Sequence, residues 1–326
     1  RTHSVECGPG VAFIGHMDTV FPAGTAGARP FRLDRAADRA TGPGVTDMKA
    51  GIVQNMFVAR ALKELGLMDV PMTLTFSPDE ELGSPSTTPI LGEQLNGAQA
   101  VICTEPGYPG GGVTLERKGS GHMFLEIMGI SAHAGRCYQD GASAILELAH
   151  KILAFDAYVD LDHDTTVNTG LVNGGTSANS VAPNASARIH ITFKTLETGR
   201  RLAEALRAET AKNHIPGTSS HISGGVRLPP LVPTPGVMKL FSLAEQAGEL
   251  IGYSVHSAPS KGTAESGYCS SVLGVPAICS MGPEGSNLHS ADEYMIPSTF
   301  VPRCKLAALT AIQAARAFAP AAKVSL

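Results

Sequence analysis

Val11-Ala12-Phe13-Ile14-Gly15-His16-Met17-Asp18 sets the reading of the whole chain. Four consecutive apolar residues closed by a glycine suit a strand buried on both faces. Two polar, chemically capable side chains, His16 and Asp18, follow at its end. The arrangement recurs downstream. Met72-Thr73-Leu74-Thr75-Phe76 runs into Ser77-Pro78-Asp79-Glu80-Glu81, and Ala100-Val101-Ile102-Cys103 runs into Thr104-Glu105-Pro106-Gly107. Between the first two strands, a Pro/Gly-rich loop (22–44) leads to Asp47-Met48-Lys49-Ala50-Gly51 and a helix. Its Ile52, Val53, Met56, Phe57 and Leu62 recur at helical spacing, and Gly66 is the natural stop. Strand, helix, strand, strand predicts an α/β domain, a mixed sheet with helices on both faces.

The texture changes near Arg117-Lys118-Gly119. The pattern predicts a strand over 121–130 and an amphipathic helix over 141–155, with Ala142, Ile145, Leu146, Leu148, Ala149, Ile152 and Leu153 on its apolar face. Strands near 166–172 and 185–193 and a helix near 198–213 follow. The run Leu228-Pro229-Pro230-Leu231-Val232-Pro233-Thr234-Pro235 reads as a return linker. Beyond it, a helix (236–251), a strand (275–280) and a helix (299–318) resume the first pattern. The expected organisation is a larger α/β domain of residues 1–116 and 229–326, with a smaller α+β domain, 117–228, inserted into it.

The chain has 326 residues, 43% of them hydrophobic and 17% charged, with a net charge of −4. That balance offers no clustered Lys and Arg for nucleic acid or an anionic membrane, and no apolar run is long enough to cross a bilayer. Six scattered cysteines without a C-x-x-C pair read as reduced thiols in a cytoplasmic protein. The N-terminus, Arg1-Thr2-His3-Ser4, has no apolar signal-peptide core and says nothing about targeting.

In open α/β sheets the carboxyl ends of the strands form the ligand crevice. His16, Asp18, Asp47, Glu80, Glu81 and Glu105 all fall at or just after such ends, and His289 follows the strand that ends at Cys279-Ser280-Met281. Two histidines and up to five carboxylates in one crevice would repel one another unless cations filled it. Nitrogen and carboxylate donors without cysteine suit Zn²⁺, Mn²⁺ or Co²⁺.

Six ordered motifs now carry a resemblance: Gly15-His16-Met17-Asp18-Thr19-Val20, Gly44-Val45-Thr46-Asp47-Met48-Lys49-Ala50-Gly51, Asp79-Glu80-Glu81-Leu82-Gly83-Ser84, Thr104-Glu105-Pro106, Ser131-Ala132-His133-Ala134-Gly135, and His289-Ser290-Ala291-Asp292-Glu293-Tyr294. Over essentially its whole length the chain resembles the co-catalytic metallopeptidase family of glutamate carboxypeptidase, aminoacylase and succinyl-diaminopimelate desuccinylase. The resemblance implies two divalent metals, Zn²⁺ first and Mn²⁺ or Co²⁺ as substitutes. Asp47 would bridge them, with His16 and Glu105 completing one site and Glu81 and His289 the other, and the Asp47–Met48 peptide would be cis. Glu80 would be the general base, and Asp18 would orient His16 from behind. His133, in the inserted domain, would stabilise the oxyanion of a partner's substrate across a homodimer interface. Asn179 would contact substrate, as would Gly262 and Thr263.

The resemblance also implies that residues 1–116 and 229–326 form the metal-binding catalytic domain and that 117–228 form a lid and dimerisation domain. Departures from the family pattern occur in both. An arginine that grips the substrate carboxylate is expected in a segment ending Asp-x-Arg. Here Ala187-Arg188-Ile189-His190-Ile191-Thr192-Phe193-Lys194 puts Phe193 in its place. The late Gly-Thr-Asp-Ala element is altered to Gly262-Thr263-Ala264-Glu265. Relatives carry several dozen residues before the first motif, so the N-terminal part of the catalytic domain reads as missing. The leading reading is hydrolysis of an amide C–N bond in a small acylated amino acid, dipeptide or related molecule. The alternatives are an aminohydrolase releasing ammonia from a non-peptide, aromatic-type amine, and an inactive metal-binding protein.

Overall fold

The computed structural model describes residues 10–67, 71–260 and 262–319; His3 and Cys7 lie outside them. Two compact units emerge, one running to Arg117 and resuming at Leu231, the other spanning Lys118–Pro230. The chain leaves and rejoins the first unit at one point. There the N–H of Arg117 donates to the Leu231 carbonyl at 3.0 Å and the reverse bond measures 3.1 Å.

In the first unit, Val11–His16 lies inside a four-stranded sheet ordered Ala277–Ile278, Ala100–Cys103, Val11–His16, Met72–Ser77. All six residues of Val11–His16 are buried. Successive strand side chains point to opposite faces, so both faces of the sheet are covered. These four strands run parallel, and Thr114 pairs antiparallel with Cys279 just past Ala277–Ile278, in keeping with the mixed sheet expected. A smaller antiparallel sheet is formed by Gly285–Ser286, Tyr294–Met295, Arg39–Thr41 and Arg32–Asp34. Its last two strands lie in the stretch read as loop. The strand expected over 275–280 shortens to Ala277–Ile278.

The helix after Asp47 spans Ala50–Leu65 and stops at Gly66, whose φ of 62° is the left-handed cap. Its buried face differs from the expected one. Val53, Met56 and Phe57 are exposed, whereas Gln54 and Asn55 are fully buried. The two amides turn inward because buried polar groups past the strand ends, one backbone and one side-chain, need partners. Gln54 Nε2 donates to the Met281 carbonyl at 3.0 Å, and Asn55 Nδ2 to Thr104 Oγ1 at 2.8 Å.

The second unit runs strand Gly119–Met128, helix Ala144–Asp156, strands Thr166–Gly174 and Asn184–Phe193, helix Leu196–Thr210, strand Ser219–Leu228. Its antiparallel sheet is ordered Ser219–Leu228, Gly119–Met128, Asn184–Phe193, Thr166–Gly174. Alternating inward residues such as Met123, Leu125, Ile127, Ile189 and Ile191 pack with Leu148, Phe155, Leu202 and Leu206 of the helices. On Ala144–Asp156 the expected apolar face is again partly wrong: Ile145, Leu146 and Leu153 are exposed, and Glu147 and Lys151 are buried instead. These two pair at 3.1 Å. Glu147 also accepts from the N–H groups of His214 and Ile215, and Lys151 donates to the Glu209 carbonyl. A buried pair survives when its remaining hydrogen-bonding capacity is met in this way.

Gly51 faces the backbone so closely that a Cβ there would lie 2.0 Å from the Thr104 carbonyl oxygen. In a helix interior, alanine normally gains about 1 kcal/mol over glycine. Here Gly51→Ala is expected to reverse that sign and cost about 1–3 kcal/mol by overpacking. Denaturant unfolding would show it, and an unchanged or raised midpoint would refute the close approach.

Candidate active site

The parallel sheet delivers the acids and imidazoles to one end. His16 is the last residue of its strand, Glu80 and Glu81 form a 3₁₀ turn after Met72–Ser77, and Glu105 lies two residues past Ala100–Cys103. Asp47 sits in the irregular turn Val45–Lys49 that opens the long helix, and the Asp47–Met48 peptide is cis. His289, with φ 60°, follows Gly285–Ser286.

Asp47 is the centre of the geometry. His16 Nε2 lies 3.1 Å from its Oδ1, and His289 Nε2 lies 3.2 Å from its Oδ2. Glu105 Oε1 is 3.6 Å from His16 Nε2, and Glu81 Oε2 is 3.3 Å from His289 Nε2. One carboxylate therefore divides its two oxygens between two imidazoles, each with a further glutamate beside it. Donor atoms of His16, Asp47 and Glu81 fall within 4.8 Å of one another, as do those of His16, Glu80 and Glu105.

These separations test whether cations fit. Two ligand atoms at about 2.0–2.1 Å from a tetrahedral zinc stand about 3.3 Å apart, which is the spacing found. The residues fit the group.

Electrostatics point the same way. Burial by itself pulls the His16 imidazole down, but the hydrogen bond to Asp47 and the charges of Glu105, Glu80 and Asp47 carry it up to about 10. The hydrogen bond to Asp47 chiefly raises His289 to about 9. Burial pushes Glu80 up to about 8, with Glu265, Glu81 and Asp47 adding to it against His16. Burial likewise raises Glu105 and Glu81, with Asp47 adding to each. Asp47 is lowered: burial opposes this, but hydrogen bonds from both histidines outweigh it. Protons are thus held where positive charge is wanted.

Two acids work behind this cluster. Asp18 Oδ1 is 3.3 Å from His16 Nδ1, and the Asp18 carboxylate also accepts from the N–H groups of Glu80 at 3.2 Å and Glu81 at 3.0 Å. It fixes the histidine and the glutamate turn together. Glu293, given no separate role by the sequence, is almost wholly buried. It accepts from the N–H groups of Gly44 at 2.8 Å, Thr46 at 2.9 Å and Asp47 at 3.0 Å. A cluster of backbone donors on one carboxylate holds the Asp47 turn rigid. Its signal was its place in the His289–Tyr294 motif.

Gly262 and Thr263 are present but engaged. Both carbonyls accept from Arg117 Nη1, at 3.3 and 3.4 Å, and Gly262 N–H donates to Ser260 Oγ at 3.2 Å. In the second unit, His133 and Asn179 are brought together: Ala134 N–H donates to the Asn179 carbonyl at 3.0 Å, and His133 bridges to Ser180. Gly135 N–H donates to His133 Nδ1 at 3.2 Å, so the neutral ring carries its proton on Nε2. Phe193 corrects the sequence reading. It is fully buried in the core of its own unit, with its ring against Gly119 and Gly199, and it cannot touch a substrate. The small glycines opposite make room for the ring where an outward side chain was expected. Lys194 points outward and pairs with Asp164 at 2.9 Å.

The raised values of His16, His289, Glu80 and Glu105 carry a sign. A group raised on folding stabilises below its unfolded pKa and loses that contribution as pH climbs through the folded value. The metal-free protein is therefore expected to lose thermal stability between pH 7 and 10. Zn²⁺ binding at pH 7 should release protons and tighten as pH rises. Calorimetry in buffers of different ionisation enthalpy checks this, and proton uptake on binding would refute it.

The sequence matches peptidase family M20/M25/M40 over residues 12–313. Carboxypeptidase G2 of Pseudomonas sp. (strain RS-16) is 25% identical over 302 residues, covering 91% of this chain and 71% of that protein. The succinyl-diaminopimelate desuccinylase of Gluconacetobacter diazotrophicus is 27% identical over 323 residues, covering 94% and 80%. In fold, the chain is similar to a Staphylococcus aureus tripeptidase with a TM-score of 0.75 at 19% identity, covering 97% of this chain and 83% of that one. With the motifs, the geometry and this match in agreement, the chain belongs to peptidase family M20/M25/M40 and is a metal-dependent hydrolase of amide C–N bonds.

Proposed function

We propose that this enzyme cleaves a small acylated amino acid, dipeptide or related amide, and that His16, Glu105, Glu81 and His289, with Asp47 shared between the two sites, would hold two Zn²⁺ ions. The observation that carries this is the division of the two Asp47 oxygens between His16 and His289. Mn²⁺ or Co²⁺ could replace Zn²⁺ on the same donors. When bound, the ions supply Lewis acidity toward the carbonyl and toward water. Glu80, buried beside His16 and Glu105, takes the proton of the attacking water and returns it to the leaving amine. Asp18 keeps the His16 ring in register. His133 would present Nε2–H to the oxyanion of a second copy's substrate, and Asn179, next to it in the same unit, would contact substrate. The comparisons do not favour the aminohydrolase alternative: the relatives reported above are a carboxypeptidase and a desuccinylase.

The Lys118–Pro230 unit serves as lid and dimerisation domain. Thr166–Gly174 is an edge strand with Leu171 and Val172 exposed, and Ile145 of the neighbouring helix lies beside Gly174. An exposed apolar edge of this kind is a pairing surface. A second copy of the chain is the proposed occupant, and the substrate is the only small-molecule partner. Among the described residues no helix is long and apolar enough to cross a membrane. The five cysteines among the described residues are all free, which supports a cytoplasmic setting.

Two measurements test this reading. Zn²⁺-loaded protein should hydrolyse members of an N-acyl amino acid and dipeptide panel, and Glu80→Ala should lower kcat by about 10²–10⁴ while still binding metal. Persisting activity in that variant would sink the assignment of Glu80. Leu171→Lys with Val172→Lys should convert a dimer to monomer in sedimentation. A wild-type monomer, or an unchanged dimer in the variant, would refute the edge-strand interface.

A further inference from the structure

The altered element Gly262-Thr263-Ala264-Glu265 places a carboxylate where none of the site roles above requires one. Glu265 is only 3% exposed. Its Oε1 accepts from Ser84 Oγ at 2.8 Å, and the Ser77 side chain also hydrogen-bonds to it. Ser77 is the last residue of the strand Met72–Ser77, and Ser84 lies just past the turn Glu80–Leu82. A single side chain thus grips both ends of the segment that carries Glu80 and Glu81. Asp18 holds the middle of the same segment through the N–H groups of Glu80 and Glu81. Ser84 has φ 52°, an uncommon conformation for a residue other than glycine that persists only when its surroundings hold it.

Glu265 is itself fixed from behind. Buried Arg117 donates to the carbonyls of Gly262 and Thr263 and to Ser260 Oγ, and its Nε reaches Cys279 Sγ at 3.2 Å. Arg117 therefore anchors the Gly262 and Thr263 backbone that leads into Glu265. Burying another acid near Glu80 is electrostatically unfavourable, so its retention calls for a gain elsewhere.

We propose that Glu265 is a positioning residue that straps the Glu80–Glu81 turn through Ser77 and Ser84. The inference rests on the reading of Glu80 as the proton-transferring group. The strap needs a side-chain oxygen able to accept from hydroxyls, which glutamine retains and alanine lacks.

The test pairs Glu265→Ala with Glu265→Gln in the full chain. Glu265→Ala should lower kcat by up to about 100-fold, as expected for a displaced reacting group, with KM within about twofold. Glu265→Gln should recover most of that loss. Amide hydrogen exchange supplies a readout independent of turnover. In metal-free Glu265→Ala the amides of residues 80–84 should exchange at least about tenfold faster, while those of Val11–His16 stay protected. Wild-type kcat and exchange in Glu265→Ala would overturn the proposal. So would uniform acceleration across the fold, or a Glu265→Gln variant as impaired as alanine. If instead Glu80→Ala stays active, the assignment of Glu80 fails while the exchange measurement still decides the strap.

Discussion

Everything in this active site depends on how one carboxylate is shared. Asp47 gives Oδ1 to His16 and Oδ2 to His289, and that division creates two half-sites from one turn. An aspartate in solution would swing freely between rotamers. Here its own N–H and those of Gly44 and Thr46 are locked onto Glu293, so the side chain leaves a fixed platform. The acids around it cannot all be charged without compensation, which is why burial and mutual repulsion raise Glu80, Glu81 and Glu105 while both histidines rise to cationic form. The protein carries its surplus negative charge in a place only multivalent cations can neutralise well.

Backbone direction converts this electrostatic demand into a site. Parallel strands all end on the same side, so His16, the Glu80–Glu81 turn and Glu105 arrive together without long loops. The amide side chains of Gln54 and Asn55 then bind Met281 and Thr104, and Gly51 lets the helix approach the Thr104 backbone. Packing and chemistry use the same residues, so the approach of that helix constrains the placement of Glu105.

The sequence made the buried strands and the acids and histidines at their ends readable, because fully apolar four-residue runs and terminal acids are local signals. Other features were hidden by contacts no local pattern reports. Gln54 and Asn55 read as solvent-facing until their partners in distant segments are known, and Glu147 and Lys151 read as an outward pair until the Glu209 carbonyl and the His214–Ile215 amides surround them. The strand Ser219–Leu228 carries Gly224 and Gly225 and few apolar residues, and so gave no period-two signal strong enough to register. Phe193 was misread because its alignment with a substrate-gripping position was legible while the glycines at 119 and 199 that accept its ring were not.

The order of strands in the main sheet has a consequence for how the chain reaches its native state. Ala100–Cys103 must find Ala277–Ile278, and the whole Lys118–Pro230 unit is synthesised between them. That unit has its own sheet and core and can form while the flank of Ala100–Cys103 still awaits its neighbour. Until that late strand arrives, one edge of an apolar parallel sheet is open to pairing with other chains, the exposure that makes slow, long-range topologies prone to aggregation. The insertion that equips the enzyme with a second unit thus also sets the interval during which its catalytic half is most vulnerable to misassembly.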